Sequence, residues 1–160
     1  MAINSFMRAA LKALSYPELL DKKNGYRLQR TVVNAAHPHV LRPSYKIWDH
    51  EINAGDHEIP VRIFAPDTQG PFPVLLFFDK VCTDMARLTR HTVVSVDYRL
   101  APEHRFPAGP EDCYLAAREL FTHSDLLGIT PDQITLIGDS AGGNLAAVVS
   151  LMARDRGEFL

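Results

Sequence analysis

Apolar positions along the chain fall first into helical stripes and then into short continuous runs. Ile3, Phe6, Met7, Ala10, Leu11 and Leu14 recur at helical spacing until Pro17 interrupts them, which predicts an amphipathic helix over residues 3–16. Leu19 to Val33 reads as a second helix with the turn signal Asn24-Gly25 inside it, and His37-Pro38 to Arg42-Pro43 reads as a linker. The pattern then changes, dividing the chain into a helical part, residues 1–43, and a second part, residues 44–160. Tyr45 to Asn53 and Glu58 to Phe64 are strand-like around the hairpin turn Ala54-Gly55-Asp56. Pro73 to Phe78 is apolar on both faces, Asp79 to Thr89 is helical, and Thr92 to Asp97 is a further apolar strand. Tyr98 to Pro110 is a loop with three prolines, followed by a helix over Glu111 to Ser124 whose Leu115, Leu120 and Phe121 face a core. Ile134 to Ile137 is a last short strand, and Gly143 to Arg156 is a helix rich in Ala, Val and Leu. Continuous apolar strands alternating with helices predict an α/β fold, a doubly wound and mostly parallel sheet covered on both faces.

Composition narrows the partners. With 160 residues, 46% of them hydrophobic and 22% charged, the chain has enough apolar material for a buried core. A formal net charge of -2 with scattered Lys and Arg offers no basic stripe for nucleic acid. The two cysteines, Cys82 and Cys113, both fall in predicted helices, so neither a disulfide framework nor a metal site is expected, and a reducing cytoplasm suits them. Arg8 and Lys12 break the N-terminal apolar stretch, which makes it a poor signal peptide, and no run reaches the length of a membrane span. A cytoplasmic protein is expected.

Gly138-Asp139-Ser140-Ala141-Gly142 carries the chemistry. It fits Gly-x-Ser-x-Gly and lies between an apolar strand and a helix, the context in which that pattern makes a nucleophile elbow. A tight strand-to-helix turn strains the backbone at the serine and crowds the positions two residues to either side, which Gly138 and Gly142 relieve. The same turn sets Ser140 at a helix N-terminus, where unpaired N–H groups favour developing negative charge, the Ala141 N–H among them. A glycine-rich turn without chemistry is the plainer reading of so short a pattern. A dinucleotide-binding turn also joins strand to helix, but it requires Gly-x-Gly-x-x-Gly and an acidic residue about twenty positions on, and Gly138-Asp139-Ser140 breaks it.

Val93 to Ala108, Val-Val-Ser-Val-Asp-Tyr-Arg-Leu-Ala-Pro-Glu-His-Arg-Phe-Pro-Ala, together with Gly138-Asp-Ser-Ala-Gly-Gly-Asn144, resembles the hormone-sensitive-lipase-like branch of the α/β-hydrolases. The resemblance runs from about Tyr45 to Phe159, and residues 1–43 match in character the helical cap that such enzymes carry ahead of their first strand. It implies a carboxylic ester hydrolase for short to medium acyl esters, working without a cofactor on a small-molecule substrate. Ser140 is then the nucleophile and Ala141 the oxyanion donor, with Gly138, Asp139, Gly142, Gly143 and Asn144 supporting the motif, Asp139 and Asn144 by bracing hydrogen bonds. The loop Tyr98 to Ala108 borders the site, and Glu111 and Asp112 are expected to cap the next helix.

Two departures stand out. The family carries His-Gly-Gly-Gly directly after its third strand, supplying most of the oxyanion hole, whereas Phe78 is followed at once by Asp79-Lys80-Val81-Cys82. About a dozen loop residues are missing by comparison, and losing one oxyanion donor costs about 100- to 1,000-fold in turnover. The fold's acid and histidine also follow the nucleophile in chain order, yet all seven histidines, His37, His39, His50, His57, His91, His104 and His123, precede Ser140. Each reads as a surface or loop residue, His104 being the least implausible base. The resemblance places Ile134 to Ile137 mid-sheet, about the fifth strand of eight, so an open apolar edge is expected there. The sequence therefore reads as a fragment, a truncated product or one part of a complex, its sheet completed by a second chain or a further segment. A catalytically incompetent fragment or a ligand-binding pseudoenzyme of the same fold is the alternative.

Overall fold

The computed structural model describes residues 45–67, 72–77, 82–124 and 129–159. The helices predicted over 3–16 and 19–33, the linker and the division at residue 43 lie outside the described residues.

The strands are β1 (Tyr45–Asn53), β2 (Glu58–Pro66), β3 (Val74–Phe77), β4 (Thr92–Val96) and β5 (Ile134–Ile137), in sheet order β1-β2-β4-β3-β5. The helices are α1 (Cys82–Thr89), α2 (Ala108–Thr122) and α3 (Ala141–Arg156), with a 3-10 turn at Pro131–Gln133 ahead of β5. The hairpin falls where Ala54-Gly55-Asp56 predicts it: the Gly55 N–H donates to Asn53 Oδ1 at 2.7 Å and the Ala54 N–H to the His57 carbonyl at 2.9 Å. β1 with β2 and β2 with β4 run antiparallel, while β3 runs parallel to both β4 and β5. The sheet is thus mixed, and the parallel character predicted for it resides in the three strands β4-β3-β5.

Strand pleating sorts the side chains between two cores. Val74 and Leu76 of β3, Val94 and Val96 of β4 and Ile59, Val61 and Ile63 of β2 point to one face, against Cys113, Tyr114, Ala116, Ala117 and Leu120 of α2 and Leu145, Val149 and Ala153 of α3. Leu75, Phe77, Val93 and Phe64 point to the other face, with Ala86 of α1. This explains why β3 and β4 read as uninterrupted apolar runs: both faces of the sheet are covered. Leu120 is buried as predicted, Leu115 packs half-buried at the core's margin, and Phe121 stacks on Phe159 at 4.9 Å. α3 ends at Gly157, whose φ of +63° lets its N–H return to the Ala153 carbonyl at 2.9 Å.

Two predicted boundaries move. α2 begins three residues early, at Ala108, because Pro110 fits a first helical turn, where its missing N–H has no acceptor to lose. α3 begins at Ala141 rather than Gly143, directly on the motif serine.

Leu76 is fully buried on the central strand β3. Leu76→Ala is expected to lower unfolding free energy by about 2–5 kcal/mol in urea denaturation, with little change in slope.

Candidate active site

β5 and α3 meet in a turn of three residues, Gly138, Asp139 and Ser140. The Gly142 N–H donates to the Asp139 carbonyl at 2.8 Å and the Asn144 N–H to the Ser140 carbonyl at 3.2 Å, so the helix starts within the motif itself. That tightness needs glycine: a Cβ on Gly138 would lie 2.2 Å from the Gly142 carbonyl carbon and 2.4 Å from its oxygen. A Cβ on Gly143 would meet the Gly138 carbonyl oxygen at 3.2 Å, a closer approach than side chains ordinarily tolerate.

Ser140 occupies the N-cap with φ +52° and ψ -112°, a region L-residues seldom enter and one that costs about 1–3 kcal/mol. Serine at an N-cap usually turns its hydroxyl back onto the helix. Here Ser140 makes no such side-chain bond and is exposed, so Oγ is left to external chemistry. Ala141 is the first residue of α3, and by helix geometry its N–H has no intrahelical acceptor. Hydroxyl and N–H together sit at the positive end of a 16-residue helix, where an oxyanion is favoured. Asp139 and Asn144 are exposed and Gly142 is buried; the bracing of the elbow comes from backbone hydrogen bonds, including the Asp139 carbonyl.

Among the described residues no histidine hydrogen-bonds Ser140. His57 binds Asp56 and Asp112, His91 the Thr89 carbonyl, His123 pairs with Glu119, and His104 is exposed on the β4–α2 loop. β3 ends at Phe77 and α1 starts at Cys82, with no glycine between them. Cys113 is buried and its thiol is pushed up by desolvation, which keeps it protonated and inert. Among the described residues no group of three or more His, Cys, Asp and Glu could hold a metal ion, and no helix is long and apolar enough to cross a membrane.

Asp112 corrects an expectation. It does not cap α2, whose N-cap is Pro107; instead its carboxylate is 1% exposed and accepts from Arg99 and from His57. Glu111 does lie in the first turn. The signal was in the sequence: Asp112 falls on the stripe Gly109, Asp112, Cys113, Ala116, Ala117, Leu120 that α2 buries, and a carboxylate on a buried stripe requires cationic partners.

The chain matches the α/β-hydrolase fold family over residues 73–160. It is 40% identical to the carboxylic ester hydrolase LipN of Mycobacterium tuberculosis across 71% of this chain and 34% of that protein. It is 33% identical to the gibberellin receptor GID1 of Oryza sativa across 68% of this chain and 36% of that protein. A solved bacterial heroin esterase superposes with a TM-score of 0.81 at 33% identity, covering 98% of this chain and 55% of that one. The chain therefore spans little more than a third of these two relatives' length and about half of the solved structure.

Three substitutions test the elbow. Ser140→Gly should raise stability by about 1 kcal/mol by removing the positive-φ strain, whereas Ser140→Ala, which keeps the strain, should not. Gly138→Ala should cost more than about 2 kcal/mol through its backbone collision. Thermal and urea unfolding of the three variants beside the parent chain supply the comparison.

Proposed function

The chain belongs to the α/β-hydrolase fold family, and on that footing we propose that it carries the nucleophile of a serine carboxylic ester hydrolase, with Ser140 as the attacking residue. The observation that carries this reading is the conformation of Ser140: a strained N-cap serine whose hydroxyl makes no bond to its own helix. Similarity to LipN and to the solved esterase supports the reaction class. The reading extends to esters of short to medium acyl chains, and to a cytoplasmic setting.

In the proposed mechanism Ser140 Oγ attacks the ester carbonyl, forming an O–C bond while a histidine accepts the hydroxyl proton. The carbonyl oxygen becomes an oxyanion facing the Ala141 N–H and the end of α3. Collapse breaks the bond to the alcohol, which takes the proton from the histidine, and leaves an acyl-Ser140 ester. Water then attacks that ester through the same base, releasing the acid and restoring Ser140. In this fold the acid and the histidine follow the nucleophile, so both are assigned to a segment or second chain beyond these 160 residues. We assign no further oxyanion donor, because no glycine stands between β3 and α1, where the family carries its glycine loop.

A second reading, ligand binding without turnover, is favoured by that absent glycine loop and by the likeness to GID1.

One experiment separates the two. The chain is joined to the part of LipN that follows its matched region, and hydrolysis of p-nitrophenyl butyrate is followed with and without Ser140→Ala. Ester hydrolysis by the chimaera that falls by at least about 10,000-fold on the substitution supports the esterase reading. A folded chimaera that binds the ester without hydrolysing it supports the second. Ser140-dependent turnover by the 160-residue chain alone would show that the base comes from within it, overturning its assignment elsewhere.

A further inference from the structure

Asp112 joins three separate pieces of the fold. The Arg99 backbone N–H donates to its Oδ2 at 2.9 Å, Arg99 Nη2 donates to Oδ1 at 2.8 Å, and Arg99 Nε lies 3.0 Å from Oδ2. His57 Nε2, from the hairpin after β1, reaches the same Oδ1 at 2.8 Å. The other ring nitrogen, Nδ1, lies 2.7 Å from Asp56 Oδ1. A neutral imidazole has one N–H and one lone pair, and a lone pair cannot face a carboxylate. With both nitrogens against carboxylates, the geometry fits the doubly protonated imidazolium.

The piece that Asp112 grips through Arg99 is the loop between β4 and α2. Phe77 of β3 stands in register with both Ser95 of β4 and Ile137 of β5, so this loop and the Ser140 turn leave the same end of the sheet, on either side of one strand. Two strand spacings separate them, about 10 Å. The loop's start is also pressed closely onto α2: a Cβ on Gly109 would meet the Arg99 carbonyl oxygen at 3.2 Å and the Tyr98 ring at 3.4 Å. Beyond it Ala101 to Pro107 is exposed throughout, including Phe106 at 84%. The grip at Arg99 is therefore what fixes where this exposed stretch begins.

We propose that Asp112 is a positioning residue for the wall beside Ser140, and that His57 acts as a proton-operated latch fastening the β1–β2 hairpin to the same carboxylate. The proposal rests on the reading of Ser140 as the site's centre. The groups facing the latch are Asp56 on its own hairpin, Asp112 on α2 and Arg99 on the loop, with Glu111 acting on Arg99. The Asp56 hydrogen bond and then that of Asp112 raise the His57 pKa above its ordinary value, outweighing burial and the Arg99 charge. A raised folded-state pKa makes the latch fully present below the ordinary histidine pKa and lost as pH rises through the folded value. Once one proton leaves, one nitrogen turns a lone pair on a carboxylate and the hairpin's hold on α2 weakens. Arg99 stays charged throughout and keeps its bonds to Asp112, so the loop stays on α2.

Hydrogen–deuterium exchange with peptide mass spectrometry, corrected for intrinsic amide rates, tests this on the whole chain. Protection of the hairpin amides across residues 53–58 should fall by at least about tenfold from about pH 6 to about pH 9 in the parent chain, while that of residues 97–107 should not. In His57→Gln the hairpin's protection should be already low and flat with pH, and Asp56→Asn, at an exposed position, should move the fall to lower pH. Protection of β3 should not change. A parent hairpin equally protected at both pH values, or a fall that survives in His57→Gln, overturns the latch. An unmoved midpoint in Asp56→Asn overturns the two-carboxylate bridge. Exchange reads the latch without any turnover, so failure of the esterase reading would appear in the Ser140 measurements and leave this result standing.

Discussion

The backbone of Gly138 runs so close to that of Gly142 that no side chain fits between them, and the candidate site depends on this contact. It allows β5 to give way to α3 within three residues, and that abruptness forces Ser140 to a φ of +52°. Strain of about 1–3 kcal/mol at one residue persists only when its surroundings over-determine it. Here they do: β5 is held by β3 in parallel register, and α3 is anchored by buried Leu145, Val149 and Ala153. The strained serine thus rests on the burial of residues well away from it. The same geometry leaves its hydroxyl without a capping bond to the helix and brings the Ala141 N–H to the helix's positive end.

Much of this was legible in the sequence because the signals were local. Apolar runs marked β3, β4 and β5, Gly55 marked the hairpin, and the two motif glycines marked a turn too tight for a Cβ. Less legible were features set by distant partners. Pairing of β2 with β4 is a long-range choice that no local pattern announces, so the mixed sheet was read as mostly parallel. Asp112 was read as a helix cap because acidic residues are common in first turns; its partners are 13 and 55 residues away in sequence. His57 was read as a loop histidine for the same reason, since its function in the fold comes from Asp112 on another element. The helices start at Ala108 and Ala141, three and two residues ahead of the predicted Glu111 and Gly143.

The arrangement separates two jobs. On the proposed reading β5 and α3 present the nucleophilic hydroxyl and one oxyanion donor, while β4, its loop and α2 build what stands beside them, fastened by a buried carboxylate and its cations. Burial raises the Asp112 pKa, but the hydrogen bonds of Arg99 and His57 outweigh it and hold the group below the ordinary carboxylate range. The parallel strands matter because they deliver both pieces to one end of the sheet, where α/β folds gather their ligands.

The most direct test of Ser140 as nucleophile is to catch the acyl group. The chimaera with the LipN segment would be quenched in acid during hydrolysis of p-nitrophenyl acetate and its peptides examined by mass spectrometry. An acetyl group on the peptide holding Gly138 to Gly142, assigned to Ser140, is the result expected. Turnover with the acetyl group on another residue would contradict the account.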